Sequence, residues 1–299
     1  MKRNWKVWGK ARIVAVVVAL LPSVVAVALA TPNAVEYIQT GEEQGQVNWM
    51  TGLITAKGIG VASPTAVNEG QRRAQARHAA EVLARRNLLA IIRGVHLDSQ
   101  STIENAMLLS DLVTQRVVGF VQGAQVVQTE DMPDGSAEVT VAIRAVGPLA
   151  DLLLLQPRPP RPTPPASAPQ SAVPALPVSA PLVAKPELFT GLVVDARGLN
   201  VRPALAPRLV SDAGQEVYGS ALVDRDWVIR EGMAGYSKDL VAAQSNARVG
   251  SKPLVVKARQ AAGANRSDVI ISASDAAKLL AAAENLSFLE KARVMIVVD

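Results

Sequence analysis

The sequence predicts an α+β protein of two small domains, each an antiparallel or mixed sheet covered by helices, joined by a proline-rich linker. Three observations predict it. Residues 64–93 repeat apolar side chains at helical spacing, and residues 117–146 alternate apolar and polar around Pro133-Asp134-Gly135. Between 156 and 187, 11 of 32 residues are proline, a composition that cannot build a core. A length of 299 residues suffices for two modest cores. The chain has no cysteine, which excludes disulfides, thiolate metal sites, a sulfur nucleophile and a lipidated N-terminus.

Residues 1–30 read as a signal peptide: Lys2, Arg3, Lys6, Lys10 and Arg12 precede an apolar run from Ile13 that ends in Ala28-Leu29-Ala30. Cleavage after Ala30 would leave a periplasmic or secreted protein beginning at Thr31. The alternative is an inner-membrane anchor through residues 13–30. Those five cations account for the whole excess of 31 Lys and Arg over 26 Asp and Glu, so the exported part is formally neutral. With no net field to draw phosphate, nucleic acid is not an expected partner.

The first domain is expected over residues 31–155. "GLITAKGIGVA" (52–62) reads as a strand whose glycines let other backbone approach. In the helix after it, Ala76, Ala79, Ala80, Leu83, Ala90 and Ile91 form the expected buried face. Arg73, Arg77, Glu81 and Arg85 lie on the other face and read as a salt-bridged surface. Ser101 and Glu104 suggest a capping box for a second, shorter helix, and residues 117–146 a long hairpin. The linker, 156–187, is a polyproline spacer long enough to hold the halves apart, so each is expected to fold alone.

The second domain, 188–299, starts with a strand ending at Asp195. It continues with a hairpin at Asp212-Ala213-Gly214, further strands in "PLVVKARQAAGANRSDVIIS" and an alanine-rich helix capped by Ser272 or Ser274. The apolar "ARVMIVVD" inserts as a final strand.

The chemistry a secreted hydrolase needs is sparse. His78 and His96 are the two histidines; they lack ligand spacing, so no metal is expected. Ser237-Lys238 are adjacent residues outside any nucleophile motif. Asp195 could meet Asp224, Asp226 or Glu231 as a carboxylate pair, but it reads first as a turn builder, with Gly198 supplying a positive φ. Glu130, Asp131 and Asp134 make a solvated hairpin tip rather than a calcium loop. No phosphate-binding loop occurs, and no cofactor or small-molecule substrate is indicated.

"AKGIGVASPTAVNEGQRRAQARHAAEVLARRNLLAII", "VVGFVQGAQVV" and "DGSAEVTVAI" resemble the LPP-twenty lipoprotein domain over residues 50–147. That family includes the flagellar outer-membrane assembly proteins P and T. The resemblance implies an envelope protein without family active-site residues to transfer. The expected function is accordingly a non-enzymatic, exported component of an envelope or flagellar-associated complex. Its expected partners are other envelope or flagellar proteins, or further copies of itself. The alternative is a periplasmic cell-wall hydrolase using carboxylates of residues 188–299.

Overall fold

The computed structural model describes residues 38–41, 44–154, 188–281 and 283–299. The chain divides into Met1–Asn33, which lies outside these residues, and Ala34–Asp299. The expected signal peptide and the whole of the expected linker, 156–187, also fall outside them. Among the described residues no helix is long and apolar enough to cross a membrane. The architecture is α+β.

The first half runs β1 (Ile38–Gly41), β2 (Gly45–Asn48), β3 (Leu53–Gly60), α1 (Glu69–Gly94), α2 (Ile103–Leu109), α3 (Asp111–Gln122), β4 (Gln125–Asp131), β5 (Ala137–Arg144) and α4 (Val146–Leu154). The strands form an antiparallel sheet in the order β1-β2-β3-β5-β4, with α1 laid across β3 and β5. Gly58 and Gly60 make that layering possible. A Cβ on Gly58 would come within 2.3 Å of the Ala80 carbonyl oxygen, and one on Gly60 within 2.2 Å of the Ala80 nitrogen. The close backbone approach read from these glycines is present.

The face of α1 turned to the sheet is Ala76, Ala80, Ala84, Leu88 and Ile92, a strict four-residue series. Leu83 and Ala90, expected in the core, are exposed. The rotation follows from the glycines, because only alanine methyls at positions 76, 80 and 84 suit so short a distance between layers. Arg73 pairs with Glu69, Arg77 with Asp131 and Arg85 with Glu81, so the stripe is salt-bridged as expected. Arg85 also donates to the carbonyls of Val121, Gln122 and Ala124, which caps the end of α3.

Two expectations fail here. Thr102, rather than Ser101, caps α2; the Ser101 hydroxyl donates to Asp98 at 2.9 Å. Residues 117–122 are helical, so the hairpin arm begins only at Gln125. Ser110 caps α3, and Val113, Val117 and Val121 bury one helical face despite their preference for strands. The turn at Pro133-Asp134-Gly135 is as read, with Gly135 at φ +84°.

The second half runs β6 (Gly191–Asp195), β7 (Leu209–Ser211), β8 (Glu216–Tyr218), α5 (Arg225–Glu231), β9 (Gly235–Ser237), α6 (Leu240–Gln244), β10 (Pro253–Lys257), β11 (Gln260–Ala262), β12 (Asp268–Ile271), α7 (Ala273–Leu280), α8 (Ala283–Glu290) and β13 (Val294–Val297). Strands β10-β6-β13-β9 form one wholly parallel sheet, and β11-β12-β7-β8 a mixed one. The expected last strand, β13, lies between β6 and β9 and is buried throughout. Of the two candidate caps, Ser272 starts α7.

Few contacts were expected between the halves, but they share one apolar cluster, from Trp49 and Leu149 to Tyr236 and Leu205. The loop after α1 also docks by backbone: Leu205 N–H donates to the His96 carbonyl at 3.0 Å and Ala206 N–H to Leu97 at 2.8 Å. Asn265 Nδ2 donates to the carbonyls of Asp98 and Ser101. On the other side Arg225 pairs with Asp151, and Gly147 sits against the Ile229 carbonyl with no room for a Cβ.

Candidate functional site

Four parallel strands point their carboxyl ends at one edge of the sheet, where open α/β sheets commonly bind ligands. Asp195 ends β6, Ser237 ends β9 and Lys257 ends β10. Both Asp195 carboxylate oxygens accept from the Arg197 guanidinium, each at 2.8 Å, and Oδ1 also accepts from the Arg197 backbone N–H at 3.3 Å. Arg197, with Lys257 nearby, holds the Asp195 carboxyl below its usual range. A group so held stays ionised and is a poor proton donor.

The turn after β6 is built by a residue that the sequence reading missed. Asp299 accepts from the backbone N–H of Gly198 at 2.6 Å and of Asn200 at 3.0 Å. Gly198 has the positive φ expected of it, +80°. Asp195 therefore shares the turn with Asp299, whose carboxylate also lies in the field of Arg197 together with that of Asp239. The Ser237 hydroxyl is buried, donating to the Asp239 carbonyl and accepting from its N–H, so it is an element of a turn.

The other candidate acids lie elsewhere. Asp224 caps α5 through the N–H groups of Asp226 and Trp227. Glu231 precedes β9 and lines a cleft at the amino end of the sheet, so it cannot pair with Asp195 at the carboxyl end. Four residue steps of strand separate those ends by about 13 Å, beyond the usual span of a glycosidase pair. His78 is exposed on α1, whereas His96 is half-buried between the halves with Nδ1 unpartnered. Among the described residues no three His, Asp or Glu side chains gather as a metal site.

The cleft at the amino end has a volume of about 300 Å³. Its apolar surface comes from Met50, in the turn between β2 and β3, with Trp227 on α5 and Met295 on β13. Its charged surface comes from Arg248, Lys291 and Arg293, opposed by Glu231. Arg248 holds the cleft wall in place, donating to the carbonyls of Ala292, Glu231 and Gly232. Burial draws its guanidinium below the ordinary arginine value.

No curated protein matches the chain. A family match falls in the second half and is not to the LPP-twenty domain, which corrects the resemblance read over residues 50–147. Residues 191–299, about a third of the chain, match the family described as Treponema pallidum Tp0624, second domain.

Proposed function

We propose that the chain is a non-enzymatic, exported component of a cell-envelope assembly. The observation that carries this reading is the commitment of Asp195. Both of its oxygens are occupied by Arg197, while Asp299 closes the adjoining turn, so the carboxylates at the sheet's edge serve the fold. The leader in residues 1–30 supports export, with Thr31 as the first residue of the mature chain. A flagellar role rested on the corrected resemblance and is dropped with it. Other envelope proteins are the proposed partners.

One feature favours the alternative, a cell-wall hydrolase: Asp195, Asp239 and Asp299 all lie in the field of Arg197. The same experiment separates the two. Asp195→Asn keeps shape while removing the carboxylate a general acid or base requires. In a deletion strain the variant is expected to restore the envelope phenotype as fully as the unaltered chain, with the protein in the periplasmic fraction. Complete failure of a well-folded Asp195→Asn protein, with loss of fragment release from purified cell wall, would establish the hydrolase.

A further inference from the structure

The geometry points to the cleft between α5 and the α8–β13 turn as a binding site for an aliphatic carboxylate. This inference goes beyond the assembly role and does not depend on it. Its basis is a local excess of cations over carboxylates among the residues that line the cleft. Arg77, Arg85, Arg197, Arg208 and Arg225 each face a carboxylate within ion-pair distance. In the cleft, Lys291 and Arg293 have no ion-pair or hydrogen-bond partner for their side chains among the described residues. Arg248 spends Nε and Nη2 on three carbonyls, leaving Nη1 without a partner among those residues.

Three cations thus converge on one cavity that supplies a single carboxylate of its own, Glu231. Asn246 also lines it, and its Oδ1 accepts from the Arg248 backbone N–H, which leaves the amide NH2 as a further donor. The excess of donors selects an anion, and Glu231 disfavours one of high charge. The thioethers of Met50 and Met295 and the Trp227 ring offer polarizable surface for an aliphatic group beside it. A volume of about 300 Å³ is at the small end for ligand sites and suits one amino-acid-sized group. Two sources supply that chemistry: a free aliphatic acid, or the terminal carboxylate of a peptide.

Calorimetric titration of the purified exported protein with N-acetyl-L-leucine tests the site. The acid is expected to bind one to one, and N-acetyl-L-leucinamide at least about tenfold more weakly. The double variant Lys291→Gln, Arg293→Gln should lose about tenfold in affinity for the acid with an unchanged melting temperature, because neither side chain holds any other residue. An acetylated pentapeptide ending in leucine separates the sources: tighter binding than the single residue assigns a chain terminus, equal or weaker binding a free acid. The site is refuted if acid and amide bind alike, if the double variant keeps full affinity, or if the acid gives no heat at about 10 mM.

Discussion

The indole of Trp49 meets the ring of Tyr236 edge-on, with centroids 5.5 Å apart and planes at 70°. Trp49 belongs to the turn after β2 and Tyr236 to β9, so this contact joins residues on either side of the proline-rich segment. Both rings are buried, and the Tyr236 hydroxyl donates to the Ala204 carbonyl and accepts from its N–H. Trp49→Ala should therefore destabilise both halves together, by about 3 kcal/mol or more. Urea unfolding followed by far-ultraviolet circular dichroism and by Trp227 fluorescence should show both probes shifting by the same amount.

Between β3 and α1 the limit is space rather than contact area. Gly60→Ala places a methyl about 2.2 Å from the Ala80 nitrogen, so the helix must move off the sheet. The expected loss is about 2 kcal/mol or more, read from the urea midpoint. Gly94→Ala, where nothing lies within 4 Å of the new methyl, is the control and should cost little.

Acid should loosen the junction at His96. Burial, and then the charge of Arg202, lower the pKa of this imidazole from 6.5, so the unfolded chain binds a proton more readily than the folded one. Its contribution is complete above pH about 6.5 and is lost as the pH falls below that value. The melting temperature should drop between pH 7.5 and pH 5.5, and His96→Gln, which cannot charge, should flatten that part of the profile.

Asp195 titrates in a lower window. Its folded pKa lies below 3.8, so its stabilisation is present above that value and disappears as the pH falls through the folded one. Because Arg197 is nearly half exposed, Asp195→Asn should cost only about 0.5–1 kcal/mol at pH 7. Gly198→Ala meets no steric obstacle but must hold φ near +80°, at about 1 kcal/mol. Comparable urea midpoints for the two variants would agree with a shared role in the turn.

Local signals in the sequence proved reliable where one residue type had one physical use. Gly58 and Gly60 announced the close layering, Pro133-Asp134-Gly135 the hairpin, and the pair Ser272 and Ser274 a helix start, which the structure places at Ser272. The error at residues 117–122 arose because valines favour strands until a partner surface at four-residue spacing selects the helix. The parallel sheet was hidden for a different reason: β6 pairs with β10 and β13, far away in sequence, and periodicity carries no information on such partners. The cleft was equally hidden, since Met50, Arg248 and Arg293 meet only when three separate turns fold together. Its one local trace is the pair Lys291 and Arg293 directly before an apolar strand.

The two halves share one apolar core, which brings Met50 to a cleft otherwise built from residues 227–295. Scanning calorimetry of the intact exported protein distinguishes one cooperative body from two. A shared core should melt in one transition whose van't Hoff enthalpy equals the calorimetric enthalpy. Two resolved transitions, each reproduced by residues 31–155 or 188–299 expressed alone, would contradict it.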